Sequence, residues 1–229
     1  MALALIMAVL CLILLYQLFM FCRVVYYNFQ PPGMTSVMRE ERARLQKKDP
    51  DFTLKYEWVD YDRINDHLKR AVVAAEDANF VSHDGVEWEA IRKAWDYNQQ
   101  QAEQGRARMR GGSTITQQLA KNLFLSGSRT YVRKGQELVL TYMIEHVMSK
   151  QRILELYLNV AEWGTGVFGA QAAAQHHFKI DASRLNASQA ARLAAMLPNP
   201  RYYDERGVTS YLNARTSTYL RRMRDAEIP

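Results

Sequence analysis

Residues 76–85 read EDANFVSHDG and residues 111–122 read GGSTITQQLAKN, two polar segments in a chain that otherwise has apolar helical patterns. Two shorter polar clusters follow them, RKGQE at 133–137 and KQRILELYLN at 150–159. The four clusters carry carboxylates and cations into a region whose other residues have the spacing of packed helices. The fold is therefore predicted to be mainly α, with these clusters at helix ends and on helix faces.

Hydrophobic periodicity predicts most of the remaining structure. Residues 52–58 alternate between apolar and polar side chains, which predicts a short strand, and residues 36–48 are predicted to form a polar helix. The Pro-Asn-Pro segment at 198–200 is expected to stop the helix before it, and Ser149 and Asn186 are expected N-caps. The predicted helices after residue 60 span 65–77, 87–103, 114–124, 131–147, 150–161, 168–178, 186–197 and 208–225.

The N-terminal segment has the composition of a membrane anchor. Residues 1–22 carry no charged side chain, and about 20 apolar residues are enough to cross a bilayer as a helix. Arg23 ends the run, and aromatic residues surround that end as they do at membrane interfaces. A cleaved signal peptide is disfavoured by the missing basic start, the long apolar run and the lack of a small-x-small site. We expect an anchor with its interfacial end over 1–29, a linker or juxtamembrane segment over 30–50, and the globular domain over 51–229.

The net charge of +6 is concentrated in the middle of the chain. Residues 106–152 contain nine Lys or Arg residues and only two acidic ones, Glu137 and Glu145. Within this region, residues 105–112 carry three arginines and three glycines and are expected to form a mobile basic loop. A basic centre suits an anionic partner, which can be nucleic acid, lipid head groups or a sugar pyrophosphate. The predicted anchor favours the last two, so no nucleic-acid partner is expected.

The two cysteines of the chain, Cys11 and Cys22, both lie in the apolar segment. Helical rise would separate them by roughly 16 Å, far beyond the reach of a disulfide. The domain after Arg23 has no cysteine, which excludes a disulfide framework and a thiolate zinc site there.

Two glutamates stand where their side chains would point into the protein. Glu76 lies four residues beyond Val72 on the apolar stripe of its helix, so its carboxylate faces inward at the helix end. Burial and the negative end of a helix both raise the pKa of a carboxylate, which improves it as a general base if cations keep it ionised. Glu137 aligns with Leu140 on one helix face, one turn after Arg133. A structural ion pair is the alternative role for each glutamate.

The second cluster combines a cation with a possible anion-binding helix start. Lys121 shares a helix face with Thr114 and Gln118. The Gly-Gly-Ser-Thr entry at 111–114 is expected to leave backbone N–H groups free, which would make a natural anion site. The alternative is a solvated polar face on a surface helix.

The four clusters resemble the motifs of the peptidoglycan glycosyltransferase family, family 51, and they follow the family's order over roughly residues 57–200. The single-domain layout resembles the monofunctional members of that family. The resemblance implies a lysozyme-like glycosyltransferase domain preceded by one N-terminal transmembrane helix, with the catalytic domain in the periplasm at the bacterial inner membrane. It also implies polymerisation of lipid II into linear glycan strands, with inversion at the anomeric carbon and release of undecaprenyl pyrophosphate.

The same resemblance suggests roles for individual residues. It implies that Glu76 is the base that deprotonates the acceptor 4-hydroxyl. It implies that Glu137 is a second essential carboxylate near the donor sugar, whose role as acid, metal contact or positioner stays open. The candidates for binding substrate and pyrophosphate are Ser113, Thr114, Gln117, Gln118, Lys121, Arg129, Arg133 and Lys134. Supporting roles are expected for Asp77, His83, Asn122, Glu155 and Asn159.

The resemblance implies no required cofactor, and it leaves open a divalent cation, Mg or Mn, at the pyrophosphate. The expected partners are lipid II, the growing glycan strand and the inner membrane, with other cell-wall synthesis proteins left open. The periplasmic orientation conflicts with the positive-inside rule, which alone would keep the domain in the cytoplasm. Long domains can translocate despite flanking charges, so the family orientation is retained. The basic residues after the span are Arg23, Arg39, Arg42, Arg44, Lys47 and Lys48.

Two other functions fit parts of the pattern. A lytic transglycosylase or muramidase shares the fold class and the use of a single glutamate, but it cleaves neutral glycosidic bonds and needs no pyrophosphate-binding cluster. A membrane-tethered scaffold needs no buried carboxylates facing a basic loop. The charge distribution therefore favours glycan synthesis over both.

Three further motifs are rejected. GTGVFG at 164–169 spells a dinucleotide fingerprint, but a helix precedes it and the expected acid about 20 residues later is absent. Its glycines are instead expected to turn the chain tightly beside the sugar cleft. His176 and His177 are adjacent, so they are not expected to share a helix face as two metal ligands. No Ser-x-x-Lys occurs in the chain, which excludes a penicillin-sensitive transpeptidase module.

Overall fold

Helices account for most of the chain, as the periodicity predicts. The structure, a computed structural model, describes residues 1–106, 111–125, 127 and 130–229. Its helices, in chain order, are α1 Ala2–Phe29, α2 Ser36–Gln46, α3 Asp66–Glu76, α4 Trp88–Glu103, α5 Ile115–Phe124, α6 Tyr131–Val147, α7 Lys150–Val160, α8 Ala170–Phe178, α9 Ala187–Met196, α10 Pro200–Arg206 and α11 Ser210–Arg222. The strands are β1 Lys55–Tyr56, β2 Glu162–Gly164 and β3 Val167–Phe168.

The helices predicted after residue 60 are all confirmed, with ends that agree to within about three residues, the usual uncertainty of helix boundaries. Ser149 and Asn186 cap α7 and α9 as predicted. One helix, α10, was not predicted, because the Pro-Asn-Pro segment was interpreted only as a stop. Pro200 instead begins α10, where its missing N–H would be unpaired in any residue. The basic loop predicted over 105–112 falls largely outside the described residues.

The core forms around α7, which is buried on most sides. Leu154, Leu156, Tyr157 and Leu158 are all almost completely inaccessible to solvent. α5 packs against α6 and α7, while α3 packs against α9 and α9 against α11. Residues 156–160 of α7 are buried on every face of the helix, so α7 is the support against which α5, α6 and α8 pack.

A small sheet closes one side of the helical core, with strand order β1-β3-β2. β1 runs parallel to β3, with Lys55 opposite Val167, and β2 runs antiparallel to it. The strand predicted over 52–58 is thus reduced to two residues. The glycine-rich segment is a hairpin, and Gly169 has φ +86° with the carbonyl oxygen of Asn159 only 2.7 Å from where a Cβ would lie. A tight turn, not a dinucleotide site, explains these glycines.

The segment assigned to a linker packs into the domain. Within α2, Met38 and Glu41 are buried, and the carboxylate of Glu41 forms ion pairs with Arg44 at 2.7 Å and Arg201 at 2.8 Å. The hydroxyl of Ser36 donates to the carbonyl of Leu123 at the end of α5 at 3.1 Å. The polar helix is confirmed, but it belongs to the folded body, and the boundary at residue 50 stays a sequence-based division.

The N-terminal helix α1 is long and apolar enough to cross a membrane, and only 6% of its most apolar window is buried. Its far end is attached to the domain. The guanidinium of Arg23 lies 4.9 Å from the centre of the Phe124 ring, and Arg152 donates to the carbonyl of Tyr27 at 2.8 Å. The predicted anchor is therefore a helix that packs against α6 and whose end also contacts α5 and α7.

Candidate active site

Glu76 ends α3, where it keeps part of its surface open to solvent. Its Oε2 accepts a hydrogen bond from Nε2 of Gln118 on α5 at 2.8 Å. Gln118 is oriented in turn by Tyr157 on α7, whose buried hydroxyl donates to Gln118 Oε1 at 3.0 Å. A phenol that donates to the amide oxygen directs the amide nitrogen towards Glu76. Two linked hydrogen bonds therefore hold the carboxylate in place from the core.

The surroundings of Glu76 favour a base of raised strength. Burial raises the pKa of Glu76 and outweighs the hydrogen bond from Gln118 and the charges of Arg215 and Lys121, which lower it. The neighbouring charge of Asp77 raises the pKa further. A carboxylate whose pKa moves towards neutral pH takes up a proton more readily. The predicted rise in the pKa of Glu76 is confirmed, with cations in its surroundings as the prediction required.

Arg215 is a second cation whose charge acts on Glu76, and it lies outside the four polar clusters of the sequence. It lies on α11, where its guanidinium donates to the hydroxyl of Tyr211 at 3.1 Å and to that of Tyr219. Its centre is 5.1 Å from the Tyr219 ring centre. These three residues recur at every fourth position, which places them on one helix face. That spacing is the available signal, but it does not indicate that the face meets α3.

Asp77 connects three parts of the site. Its Oδ2 accepts from the backbone N–H of Ile115, the first residue of α5, at 3.0 Å. Its Oδ1 lies 2.8 Å from Nε2 of His83, whose Nδ1 accepts from the N–H of Gly85 at 3.1 Å. Burial lowers the pKa of His83, but the hydrogen bond and charge of Asp77 outweigh it and raise that pKa. Asp77 and His83 thus join α3 to α5, which fits the supporting roles expected of them.

At the start of α5, the N–H groups of Thr114, Ile115 and Gln117 are already paired, so these three donors are not free for an anion as was expected of the helix start. The N–H of Ile115 already faces Asp77. Thr114 Oγ1 accepts from the N–H of Gln117 at 3.2 Å, and the Gln117 side chain accepts from the N–H of Thr114 at 3.0 Å. A distant acid and a capping box satisfy these donors. Thr114 and Gln117 are buried, and their contacts with substrate stay a prediction.

Glu137 is a buried carboxylate held between two cations of α6. Its Oε2 accepts from Nη1 of Arg133 at 2.8 Å, and its Oε1 accepts from Nζ of Lys134. Lys134 Nζ also lies 3.4 Å from the hydroxyl of Ser113. Within the described part of the chain, the buried Nε of Arg133 has no hydrogen-bond partner, which leaves a donor for an incoming anion. Arg129, predicted to join this group, lies outside the described residues.

Lys121 lies one turn after Gln118 on α5 and is partly buried. Burial lowers the pKa of Lys121, the charge of Glu137 opposes that effect, and repulsion by Arg133 and Lys134 adds to it. No direct ion pair to Lys121 is found among the residues that the structure describes. An ammonium group that has lost water without gaining a counter-ion is stabilised by binding an anion.

The remaining predicted residues support the framework. Asn122 is buried on α5. Glu155 Oε1 accepts from the backbone N–H of Tyr61 at 2.8 Å. Asn159 accepts from the N–H of Val59 and donates to its carbonyl, both at 2.9 Å. Glu155 and Asn159 therefore hold the segment that leads into α3 against α7.

Metal-binding atoms come together in two places among the described residues, within 4.8 Å of one another. One group is Asp77, His83 and Glu87, beside Glu76. Its members are already used within the protein, because both oxygens of Asp77 accept hydrogen bonds and Glu87 accepts from Asn79 at 2.7 Å. These contacts explain the group as part of the junction between α3 and α5.

The second group is His176, His177 and Asp204. Because His176 and His177 are adjacent in the sequence, they are not expected to point the same way as two metal ligands. In the structure, however, their ring centres lie only 4.7 Å apart. His176 Nε2 is 2.6 Å from Asp204 Oδ1, and its other ring nitrogen is 3.0 Å from Nζ of Lys55. His177 Nε2 donates to the carbonyl of Trp163 at 2.8 Å. A lysine against one ring nitrogen disfavours a cation on the other, so the group serves as a hydrogen-bond network.

Comparison with known proteins decides the family. A sequence profile described as Transglycosylase matches residues 44–224. The chain belongs to the transglycosylase family. A biosynthetic peptidoglycan transglycosylase of Bordetella pertussis is 71% identical over 226 residues, which is 99% of this chain and 93% of the relative. Proteins of the same name from Janthinobacterium sp. and Methylobacillus flagellatus are 54% and 51% identical over 218 residues, covering 95% of this chain and 93% of each relative.

The four clusters therefore predicted the family and the enzyme class correctly. The resemblance extended over roughly residues 57–200, whereas the profile continues to residue 224 and so includes α11 with Arg215. The C-terminal helix α11 belongs to the site, because the charge of Arg215 lowers the pKa of Glu76. The roles of individual residues stay predictions.

Replacing Glu76 with Gln should stabilise the folded transglycosylase at alkaline pH. A raised pKa means that the unfolded state binds fewer protons than the folded state, so the free energy of unfolding falls as pH rises above the ordinary value of 4.5. A glutamine carries no charge, and its amide oxygen can still accept from Gln118. When thermal unfolding is measured between about pH 4 and about pH 8, the melting temperature of the variant should exceed that of the parent by an amount that grows with rising pH.

Glu89 on α4 is a matched control, because it is exposed and its hydrogen bond with Lys93 lowers its pKa. Glu89→Gln should therefore not gain stability as pH rises. If Glu76→Gln instead loses stability relative to the parent at alkaline pH, the carboxylate is stabilised in the folded protein and the raised pKa is refuted.

Replacing Tyr157 with Phe should weaken catalysis without disturbing packing, because only the hydroxyl that orients Gln118 is lost. A net hydrogen-bond contribution of roughly 1 kcal/mol corresponds to about a three- to tenfold fall in turnover. The acidic limb of the pH–rate profile should also move to higher pH, since the hydrogen bond from Gln118 lowers the pKa of Glu76 and the variant weakens that bond. Tyr61→Phe is the control, as its hydroxyl donates to the Pro229 carbonyl at 2.8 Å. Equal effects in both variants would exclude a specific role.

Proposed function

We propose that this transglycosylase is a peptidoglycan glycosyltransferase that polymerises lipid II into linear glycan strands. One observation carries the proposal: α5 holds Gln118 against Glu76 and, one turn later, presents Lys121 beside Glu137, Arg133 and Lys134. Gln118 and Lys121 lie one turn apart on α5, so one face of this helix meets both the base and the cations. A base and a group of cations along one helix face can act on opposite sides of one reacting sugar.

The reaction is a single displacement. Glu76 takes the proton of the acceptor 4-hydroxyl, and the acceptor oxygen forms a bond to the anomeric carbon of the lipid-linked donor. The bond from that carbon to the pyrophosphate breaks, and undecaprenyl pyrophosphate leaves with the electron pair. Attack from the face opposite the leaving group inverts the anomeric carbon, and no covalent enzyme intermediate is needed.

The cations stabilise the charge that develops on the leaving pyrophosphate. Lys121 gains from an incoming anion because burial has removed its water without supplying a direct counter-ion among the described residues. The buried Nε of Arg133 has no hydrogen-bond partner among the residues that the structure describes, so Arg133 offers a donor to the pyrophosphate. Glu137 holds Arg133 and Lys134 in fixed positions and still leaves this group a net positive charge. Fixed charges of this kind act most strongly in the transition state.

We propose that no cofactor is required. A divalent cation at the pyrophosphate would need oxygen ligands from the protein or the substrate. Among the described residues around Lys121, Glu137 already has both oxygens on Arg133 and Lys134, so it fits the role of a cation holder better than that of a metal ligand. No step is therefore assigned to Mg or Mn, and we take Glu137 as a positioner of cations.

The basic group also separates synthesis from the two alternatives. A lytic transglycosylase releases a neutral sugar and would gain little from Lys121, Arg133 and Lys134 at its leaving group. A scaffold would gain nothing from a partly exposed carboxylate with a raised pKa. The word biosynthetic in the names of the relatives agrees with the synthetic direction.

For localisation, we propose that α1 anchors the enzyme in the bacterial inner membrane with the catalytic domain in the periplasm. The length and apolar composition of α1 support the anchor. Lipid II and the growing glycan strand are the proposed partners in that compartment, and contacts with other cell-wall synthesis proteins are left open.

The orientation can be tested by fusing reporters after Pro229. A reporter that is active only in the periplasm should be active, and a reporter that is active only in the cytoplasm should be silent. The basic residues after the span predict the reverse by the positive-inside rule. A cytoplasmic signal would therefore overturn both the orientation and the proposed substrate access.

Replacing Lys121 with Ala should lower the turnover of purified enzyme on lipid II by about 10² to 10³, the scale of losing one electrostatic stabiliser. The loss should appear mainly in kcat, because charge builds on the pyrophosphate in the transition state. Lys93→Ala is the matched control, since Lys93 is exposed and paired with Glu89 on α4.

Finished peptidoglycan contains no pyrophosphate, so neither the parent nor the Lys121→Ala variant should degrade sacculi. Lipid II turnover and sacculus digestion are measured on the same preparations. A parent protein that digests sacculi, with Lys121→Ala leaving that activity unchanged, would mean that the enzyme is lytic and that the basic group is a solvated surface.

A further inference from the structure

Lys121 lies on the last turn of α5, and the backbone N–H that caps this helix, that of Leu125, donates to the Lys121 carbonyl. No direct ion pair holds its ammonium group among the residues that the structure describes. A lysine side chain is flexible, so the place of this charge depends on how firmly the end of α5 is held. Asp77 holds the start of α5, and the end is held by a different element, α2.

Ser36 on α2 makes the first contact with the end of α5. Its hydroxyl donates to the carbonyl of Leu123 at 3.1 Å. Because α5 ends at Phe124, this carbonyl belongs to the last turn, whose carbonyls have no N–H partner within the helix. Ser36 therefore supplies a donor that α5 itself cannot provide.

Glu40, one turn after Ser36 on α2, makes the second contact. Its Oε2 accepts from the backbone N–H of Gly127, just beyond α5, at 2.8 Å. A Cβ at Gly127 would lie only 3.1 Å from Oε1 of Glu40, so a glycine permits this close approach. Residues one turn apart share a helix face, and we call Ser36 and Glu40 the α2 clamp.

α2 is itself fixed in the domain. The buried carboxylate of Glu41 pairs with Arg44 at 2.7 Å and with Arg201 at 2.8 Å. Arg201 also pairs with Glu162 on β2 at 2.7 Å, and the charge of Glu162 acts on Lys121. The α2 clamp therefore contacts α5 from a helix that is bound to two other elements around the site.

We propose that the α2 clamp positions Lys121 for the reaction, with Ser36 and Glu40 holding the last turn of α5 where the ammonium group meets the leaving pyrophosphate. The inference rests on the proposed function. Both are positioning residues, because they act through α5 and not through contact with the substrate. A fixed charge stabilises a transition state only from the correct place, so loss of the clamp affects turnover more than substrate binding.

The first test is kinetic and uses the full-length enzyme with lipid II. The double variant Ser36→Ala/Glu40→Ala should lower kcat by roughly five- to tenfold with little change in KM, the effect of losing two hydrogen bonds. Glu40→Gln keeps an acceptor for the N–H of Gly127 and should retain most of the turnover that Glu40→Ala loses. Glu89→Ala is the matched control, because Glu89 is exposed on α4 and pairs only with Lys93 of the same helix among the described residues.

A double-mutant cycle separates positioning from a general effect on folding. In a Lys121→Ala background, the two clamp substitutions should lower the residual turnover by less than about twofold, because the group that they position is gone. An equal loss in the parent and in Lys121→Ala would mean that the clamp only maintains the folded fraction, and the proposal would fail. It would also fail if Glu40→Gln cost as much as Glu40→Ala, since charge and not the hydrogen bond would then matter.

The second test needs no turnover. Amide hydrogen exchange over residues 121–125 should be roughly three- to tenfold faster in Ser36→Ala/Glu40→Ala than in the parent, and close to the parent rate in Glu40→Gln. Exchange at the start of α5, which Asp77 holds, should not change. Unchanged exchange over residues 121–125 would overturn the clamp. A parent that shows this pattern but does not polymerise lipid II would overturn the proposed function and leave the contact between α2 and α5 standing.

Discussion

The contact between the Asp77 carboxylate and the first backbone N–H of α5 is the interaction on which the site depends. It docks the start of α5 against the end of α3, and since Glu76 is the preceding residue, it also fixes the position of the proposed base. Ile115, Gln118 and Lys121 follow at intervals of three residues. Successive turns of one helix therefore present the contact to Asp77, the hydrogen-bond donor to Glu76 and the cation Lys121. An acid at a helix start is also favoured by the helix dipole.

The site must satisfy two opposing electrostatic requirements. A general base needs cations nearby to stay ionised, yet a direct ion pair would lower its pKa and reduce its affinity for a proton. The structure separates these effects, because Glu76 is contacted by the neutral amide of Gln118, while Arg133 and Lys134 are paired with a different carboxylate, Glu137. Arg215 and Lys121 act on Glu76 from a distance, and the proposed base remains able to accept a proton.

Local patterns in the sequence predicted the helices and the inward position of Glu76, since both depend on residues within a few turns of each other. The errors concern contacts between distant segments. The N–H of Ile115 was expected to be free, but it meets an acid 38 residues earlier in the chain. Arg215 acts on Glu76 from α11, and no periodicity indicates which helix will pack beside α3. Its spacing with the tyrosines predicts a shared face but not the partner of that face.

α6 shows how neighbouring residues of one helix can serve two environments. Successive residues of a helix point about 100° apart, so Gln136 faces α1 while Glu137, the next residue, is buried and lies between Arg133 and Lys134. Because α1 and α6 share an amide pair, the apolar N-terminal helix is fixed to the same helix on which Glu137 holds its two cations.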